Sequence, residues 1–172
     1  MNTRILVILS LLVGIGAVLH AVAPPILFGM RPDMLLAMMF LGIMLFPKTK
    51  YVVLLSIVTG VVSALTTTVP GGQLANIIDK PITALIFLGL FLLVKNKVNG
   101  NISAPVLTVI GTAISGSIFL LTALYIVGLM EGGFIAMFLT IVVPAAAVNT
   151  IVMVVIYPVV QGILKRAPIP AS

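Results

Sequence analysis

The chain has 172 residues, of which 62% are hydrophobic and only 7% are charged. A soluble domain carries about 25% charged residues, so the composition excludes a soluble enzyme, a nucleic-acid-binding protein and a disordered chain. The net charge is +6, and in a helical membrane protein basic residues chiefly record topology. We therefore predict an all-α, polytopic membrane protein.

Six apolar runs predict six transmembrane helices in a single transmembrane domain over residues 1–172. Proline, glycine and charged residues interrupt the runs, as expected at helix ends. The runs cover approximately 5–23, 34–46, 51–69, 82–94, 105–130 and 134–164. The first run resembles a signal peptide, but Pro24 and Pro25 follow the possible cleavage point and favour a retained helix.

The basic residues indicate which side of the membrane each loop occupies. With six crossings, seven of the nine basic residues fall on one side, and the other two fall on the opposite side with all three acids. By the positive-inside rule, both termini are cytoplasmic. The predicted outer side then holds Arg31, Lys80, Asp33, Asp79 and Glu131.

Two predicted helices are short for a bilayer. Runs 34–46 and 82–94 have 13 residues each, or roughly 20 Å of helix against a hydrocarbon layer of about 30 Å. Lysines mark their inner ends, so we expect these helices to extend outward through residues 31–33 and 79–81. The charges there would lie below the outer surface and indicate a functional site; ion pairs that only cap helix starts are the alternative.

Opposite charges in one outer region suit a zwitterionic ligand, because Arg or Lys binds a carboxylate and Asp binds an ammonium group. Pairing of these charges with one another is the alternative. Methionines on the second helix suit an aromatic ligand or an ordinary core, and the amide of Asn149 needs a partner from another helix or a ligand. The candidate binding residues are Arg31, Asp33, Asp79, Lys80, Met30, Met34, Gln73, Asn76 and Asn149.

Small residues recur at helical spacing on the first helix, at Ser10, Gly14, Ala17 and Ala21. Such stripes allow close helix packing in lipid. This stripe predicts either packing inside the protein or a docking surface for another membrane protein.

Motifs for soluble catalysis are missing from the sequence. It has no Cys, one His and no phosphate-binding G-x-x-x-x-G-K-[ST] motif, so we predict no metal, no cofactor, no enzymatic activity and no ATP hydrolysis by this chain alone. Two rival hypotheses are a membrane enzyme that uses Asp33 and Asp79 as acid and base or Mg²⁺ ligands, and a non-transporting assembly protein of the cell envelope.

Three stretches resemble the bacterial tryptophan transporter family TrpP. They are residues 29–34 (GMRPDM) leading to Phe46 and Pro47, residues 60–81 (GVVSALTTTVPGGQLANIIDKP) and residues 149–166 (NTIVMVVIYPVVQGILKR). That family looks like the substrate-binding S components of energy-coupling-factor (ECF) transporters, which are six-helix proteins with an outward-facing site. In those proteins an A-x-x-x-A pattern on the first helix contacts a coupling subunit, and Ala17 and Ala21 match that spacing.

The resemblance implies an uptake transporter or S component for L-tryptophan in the bacterial cytoplasmic membrane, working with a coupling subunit and two ATPases if one is used. Arg31 or Lys80 would then bind the carboxylate and Asp33 or Asp79 the ammonium group, with Met30 and Met34 beside the indole. An S component for another indole or a vitamin is the alternative.

The charge asymmetry predicts that the loop before Asp79 is external. Because the chain has no native Cys, Gln73→Cys should react with an impermeant maleimide in intact cells, whereas Asn99→Cys should react only after lysis. The reverse labelling pattern would contradict the predicted topology.

Overall fold

A computed structural model describes residues 2–23, 31–128 and 132–166. All regular elements in these ranges are helical, which confirms the all-α fold class. The helices are α1 (Thr3–Val22), α2 (Met34–Leu45), α3 (Thr49–Thr66), α4 (Gly72–Val94), α5 (Gly100–Leu121), α6 (Phe134–Met137) and α7 (Val143–Arg166). A π-helical segment, Thr122–Val127, continues α5, and a second, Phe138–Val142, joins α6 to α7.

Five helical rods are long and apolar enough to cross a membrane, and they range from 18 to 33 residues. α6, the π-helical segment after it and α7 form the longest of them. Large apolar side chains such as Leu65, Leu93 and Ile135 point outward, as expected for surfaces in contact with lipid. The chain is therefore a polytopic membrane protein.

The short helix α2 lies at the centre of the bundle. Ten of its 12 residues are buried, and it contacts α1, α3, α4, α5 and α7. Its length of roughly 18 Å falls well short of the hydrocarbon thickness. A central helix can be this short because its neighbours, and not α2 itself, face the lipid.

The expected extension of α2 through residues 31–33 is wrong, because the helix begins at Met34. Asp33 is the N-cap, and its carboxylate accepts a hydrogen bond from the Leu36 backbone N–H at 3.1 Å. Pro32 also disfavours helical backbone at the residue before it. α4, by contrast, begins at Gly72 and includes residues 79–81, so Asp79 and Lys80 lie within a helix.

α2, α4 and α5 approach closely at an aromatic pair. The rings of Phe40 and Phe87 stack with centroids 4.1 Å apart. Gly111 of α5 lies against both rings, and a Cβ at this position would come within 2.7 Å of Phe40 and 2.8 Å of Phe87. The glycine therefore permits the contact between the three helices.

Gly111→Ala should destabilise the protein by about 1–3 kcal/mol, because the added methyl group overpacks the aromatic pair. Gly89→Ala is the matched control, since a Cβ there meets nothing within 4 Å and alanine favours helix. Thermal unfolding in detergent should show a lower midpoint for Gly111→Ala alone. Equal midpoints for the two variants would contradict the packing argument.

Candidate functional site

A cavity lies between the bundle helices at the N-terminal end of α2. It contains about 750 Å³ of space, including the part that is open to solvent. One side carries charged and polar groups, and the other is largely apolar. The polar side includes His20, Arg31, Asp33, Asn76, Asp79 and Lys80, and the apolar side Phe119, Leu120, Ile141, Val142 and Ala145.

Lys80 connects two carboxylates at the polar side. Its Nζ lies 2.6 Å from Asp33 Oδ2 and 2.7 Å from Asp79 Oδ2. The side chains of Lys80 and Asp79 are 2% and 0% exposed, whereas that of Asp33 is 24% exposed. Buried charges are tolerated only when paired, and with all three groups ionised this cluster has a net charge of −1.

Asp79 is hydrogen-bonded on both of its carboxylate oxygens. Besides Lys80, Ser115 Oγ donates to Oδ2 at 2.6 Å and Thr83 Oγ1 donates to Oδ1 at 2.6 Å. Thr83 is one turn along α4, and Ser115 belongs to α5. These three donors stabilise an ionised Asp79 and tie α4 to α5.

Arg31 has a different environment from Lys80. Its Nη1 donates to the Ala21 carbonyl at 2.9 Å, an acceptor in the last turn of α1 that lacks a helical partner. Both salt bridges found within residues 2–23, 31–128 and 132–166 use Lys80, so Arg31 has no carboxylate partner in that part of the chain. Arg31 also lines the cavity, and its other guanidinium N–H groups make no hydrogen bond to the residues that the structure describes.

His20 holds the segment that carries Arg31 and Asp33. Its Nδ1 lies 3.1 Å from the Pro32 carbonyl, which can only accept, so the ring nitrogen donates. The ring is buried and also lines the cavity. The end of α1 thus positions residues 31–33 through two side-chain contacts with the backbone.

Six of the candidate binding residues line this cavity: Arg31, Asp33, Asn76, Asp79, Lys80 and Asn149. Gln73 does not line it and is exposed in the first turn of α4, and Met34 is half-buried outside the wall. Met30 lies outside the described residues.

The side-chain amide of Asn76 is hydrogen-bonded to backbone carbonyl groups. Its Nδ2 donates to the Gly72 carbonyl at 2.9 Å and approaches the Ser63 carbonyl at 3.5 Å. The amide group therefore stabilises the start of α4 and its contact with α3.

The sequence argument missed several wall residues, including Phe119, Thr112 and Ser115. The two hydroxyl residues belong to a series of small residues on α5 that also predicts plain helix packing. Their spacing of three residues places them on one helix face, but it carries no sign that this face borders a cavity.

The small-residue stripe of α1 lies mostly on the surface. Ser10, Gly14 and Ala21 are exposed and Ala17 is half-buried, and a Cβ at Gly14 would meet nothing within 4 Å. Close packing of α1 on α2 instead occurs at Gly16, where a Cβ would lie 3.1 Å from the Leu35 backbone. Packing inside this chain therefore does not explain the stripe.

Comparison with known proteins shows which family this chain belongs to. A model described as "Tryptophan transporter TrpP" matches residues 2–165. A relative in Bacillus subtilis is 56% identical over 168 residues, covering 97% of this chain and 96% of the relative. A relative in Clostridium acetobutylicum is 46% identical, with 96% of each chain covered.

A third relative, in Clostridium perfringens, is 39% identical over 96% of each chain. All three relatives carry the name "Probable tryptophan transport protein". No solved structure matches significantly. On the family match and these identities, the chain belongs to the TrpP family of tryptophan transporters.

Proposed function

We propose that this chain binds L-tryptophan in the cavity and admits it to the cell, as a single domain of the bacterial cytoplasmic membrane with the cavity facing outward. The main supporting observation is the cavity wall. It combines a cation, Arg31, that has no carboxylate partner among the described residues, a negatively charged cluster and an apolar side. An amino acid with a large aromatic side chain matches all three.

The substrate carboxylate binds Arg31 in this proposal. Lys80 is less suitable, because its side chain is 2% exposed and its ammonium group already lies between two carboxylates. Arg31 is half-buried at the wall and uses one donor on the Ala21 carbonyl. A guanidinium group offers paired donors that match a carboxylate.

The substrate ammonium group binds Asp33. Asp79 accepts three hydrogen bonds and is fully buried, whereas the Asp33 side chain is 24% exposed. The excess negative charge of the Asp33–Lys80–Asp79 cluster favours a cation beside Asp33. Arg31 and Asp33 are two residues apart in the non-helical segment before α2, so the same short stretch binds both ends of a zwitterion.

The indole ring lies against the apolar side in this arrangement. Phe119 of α5 and Val142 before α7 line that side, and aromatic side chains favour stacked or edge-to-face contacts with another ring. Gly116 permits Val142 to pack directly against α5 beside Phe119, since a Cβ at this position would clash with the Val142 side chain.

A transport role also fits the acids better than catalysis does. Both carboxylate oxygens of Asp79 accept hydrogen bonds, and the Lys80 ammonium group lies between Asp79 and Asp33. A general base needs a lone pair directed at the substrate. We therefore assign no catalytic residue, metal or cofactor to this chain.

We further propose that the chain acts as an S component whose α1 stripe docks on a coupling subunit that carries two ATPases. The support is the exposure of Ser10, Gly14 and Ala21 and the open space around Gly14. Small residues allow a partner helix to approach closely in lipid.

Arg31→Gln should weaken L-tryptophan binding on the order of 30-fold or more, because a charge-assisted contact to the ligand is lost. Tryptamine, which lacks the carboxylate, should bind the variant and the parent equally. Asp33→Asn keeps an N-cap residue. It should weaken the binding of L-tryptophan and tryptamine, which carry the ammonium group, and leave the binding of indole-3-propionate, which lacks it, unchanged. Calorimetry on purified protein measures these affinities.

Arg4→Gln is the control for Arg31→Gln, since Arg4 is exposed at the other end of α1. It should bind L-tryptophan as the parent does. If Arg31→Gln stays monodisperse and binds L-tryptophan within about threefold of the parent, a change below 1 kcal/mol, the assignment of the carboxylate to Arg31 is wrong.

Gly14→Leu should reduce tryptophan uptake by cells while the purified variant binds tryptophan normally, because the larger side chain blocks helix docking away from the cavity. Gly89→Leu is the matched control, as a second exposed glycine with no neighbour within 4 Å of a Cβ. Uptake of labelled tryptophan and binding are measured side by side. Normal uptake by Gly14→Leu would contradict a docking role.

A further inference from the structure

A buried amide lies on the apolar side of the cavity. Asn149 of α7 is 0% exposed and lines the cavity. Its Nδ2 donates to Thr112 Oγ1 of α5 at 3.3 Å, while its Oδ1 has no hydrogen-bond partner among the described residues. Buried acceptors are nearly always paired, so we expect a ligand in the cavity to donate a hydrogen bond to this oxygen.

Two facing helix stripes place the amide deep in the cavity. Val142, Ala145 and Asn149 follow one another at helical spacing on one side, and Thr112 and Phe119 do so on α5. Thr112 lies three residues, or roughly 4.5 Å of helix, beyond Ser115, the residue that bonds the charged cluster. Along α5, Phe119 of the apolar side therefore lies on one side of the level of the charged cluster, and Thr112 with the Asn149 acceptor lies on the other.

Tryptophan has one side-chain group that matches this unpartnered acceptor. Apart from its α-ammonium and α-carboxylate, its only polar group is the indole N–H, which donates and does not accept. We propose that Asn149 Oδ1 accepts the hydrogen bond of the indole N–H and that Thr112 orients the amide. Asn149 is then a specificity-determining residue, an inference that rests on the proposed binding of tryptophan in this cavity.

A second unpartnered group in the same cavity is less suited to this role. Ser63 Oγ is also buried without a partner, but it belongs to α3 and lies near Asn76 on the polar side. A hydroxyl group can rotate and can donate as well as accept, so it does not select for a donor. Ser63 therefore serves as the control position.

The predicted consequence is discrimination against analogues that lack the indole donor. A site built to bind an N–H group rejects a ligand without it, because the buried acceptor is then left unpaired. The parent should bind L-tryptophan at least about tenfold more tightly than 3-benzothienyl-L-alanine, in which sulfur replaces the N–H. This factor corresponds to the loss of one hydrogen bond.

The experiment measures both affinities by calorimetry on the full-length protein in nanodiscs. Asn149→Leu, which replaces the amide by an apolar side chain of similar size, should bring the two affinities within about twofold, since the acceptor is gone. Ser63→Ala should keep the parental preference. Both ligands carry the same α-ammonium and α-carboxylate groups, so this comparison is independent of Arg31 and Asp33.

Thr112→Val provides a second test that leaves Asn149 in place. Loss of the hydroxyl releases the amide, so the preference for L-tryptophan should fall by at least about threefold. This variant decides the question if Asn149→Leu does not yield monodisperse protein.

The inference is wrong if a folded Asn149→Leu variant keeps the parental preference for L-tryptophan over 3-benzothienyl-L-alanine. If Asn149→Leu does not fold, the same result in Thr112→Val overturns it. Equal binding of both ligands by the parent would do the same. In each case tryptophan binding itself would survive, so the proposed function would stand. Failure of the parent to bind either ligand would overturn both the inference and the proposed function.

Discussion

The half of the bundle around the N-terminus of α2 depends on the contact of Lys80 with Asp33 and Asp79. It joins the residue that caps α2 to a residue in the middle of α4, and Ser115 extends the network to α5. A charge in this position is costly unless it is paired, so the three helices must meet here. The same contact leaves one negative charge in excess and leaves Arg31 outside the cluster.

The short helix α2 explains why a cavity exists at this level. Its 12 residues fill the inner part of the bundle, where Phe40 stacks on Phe87. Beyond its N-terminus the longer neighbouring helices continue, and no helix among the described residues occupies the centre. The chain at residues 31–33 crosses part of this space, and the cavity takes up the rest, with Leu36 of α2 in its wall.

Ligand binding and partner docking would use different surfaces of the same small protein. The cavity lies inside the bundle between α1, α4, α5 and α7, whereas most of the small residues of α1 lie on the bundle surface. Yet α1 belongs to both surfaces, because His20 and the Ala21 carbonyl hold the segment with Arg31 and Asp33. Movement of α1 on a partner would therefore act directly on the charged side of the cavity.

The sequence by itself determined the helical class, the number of apolar segments and the burial of Asp79 and Lys80. The apolar run 82–94 is too short for a bilayer, so its helix had to extend through Asp79 and Lys80, whereas the same argument failed for α2, which begins at Met34. Only the tertiary structure decided which charged side chains form ion pairs with one another. It also placed Gln73 outside the cavity and Asn149 in contact with Thr112. The physical reason is that lipid and protein interior are both apolar, so the pattern of a membrane helix does not reveal which face turns toward a cavity.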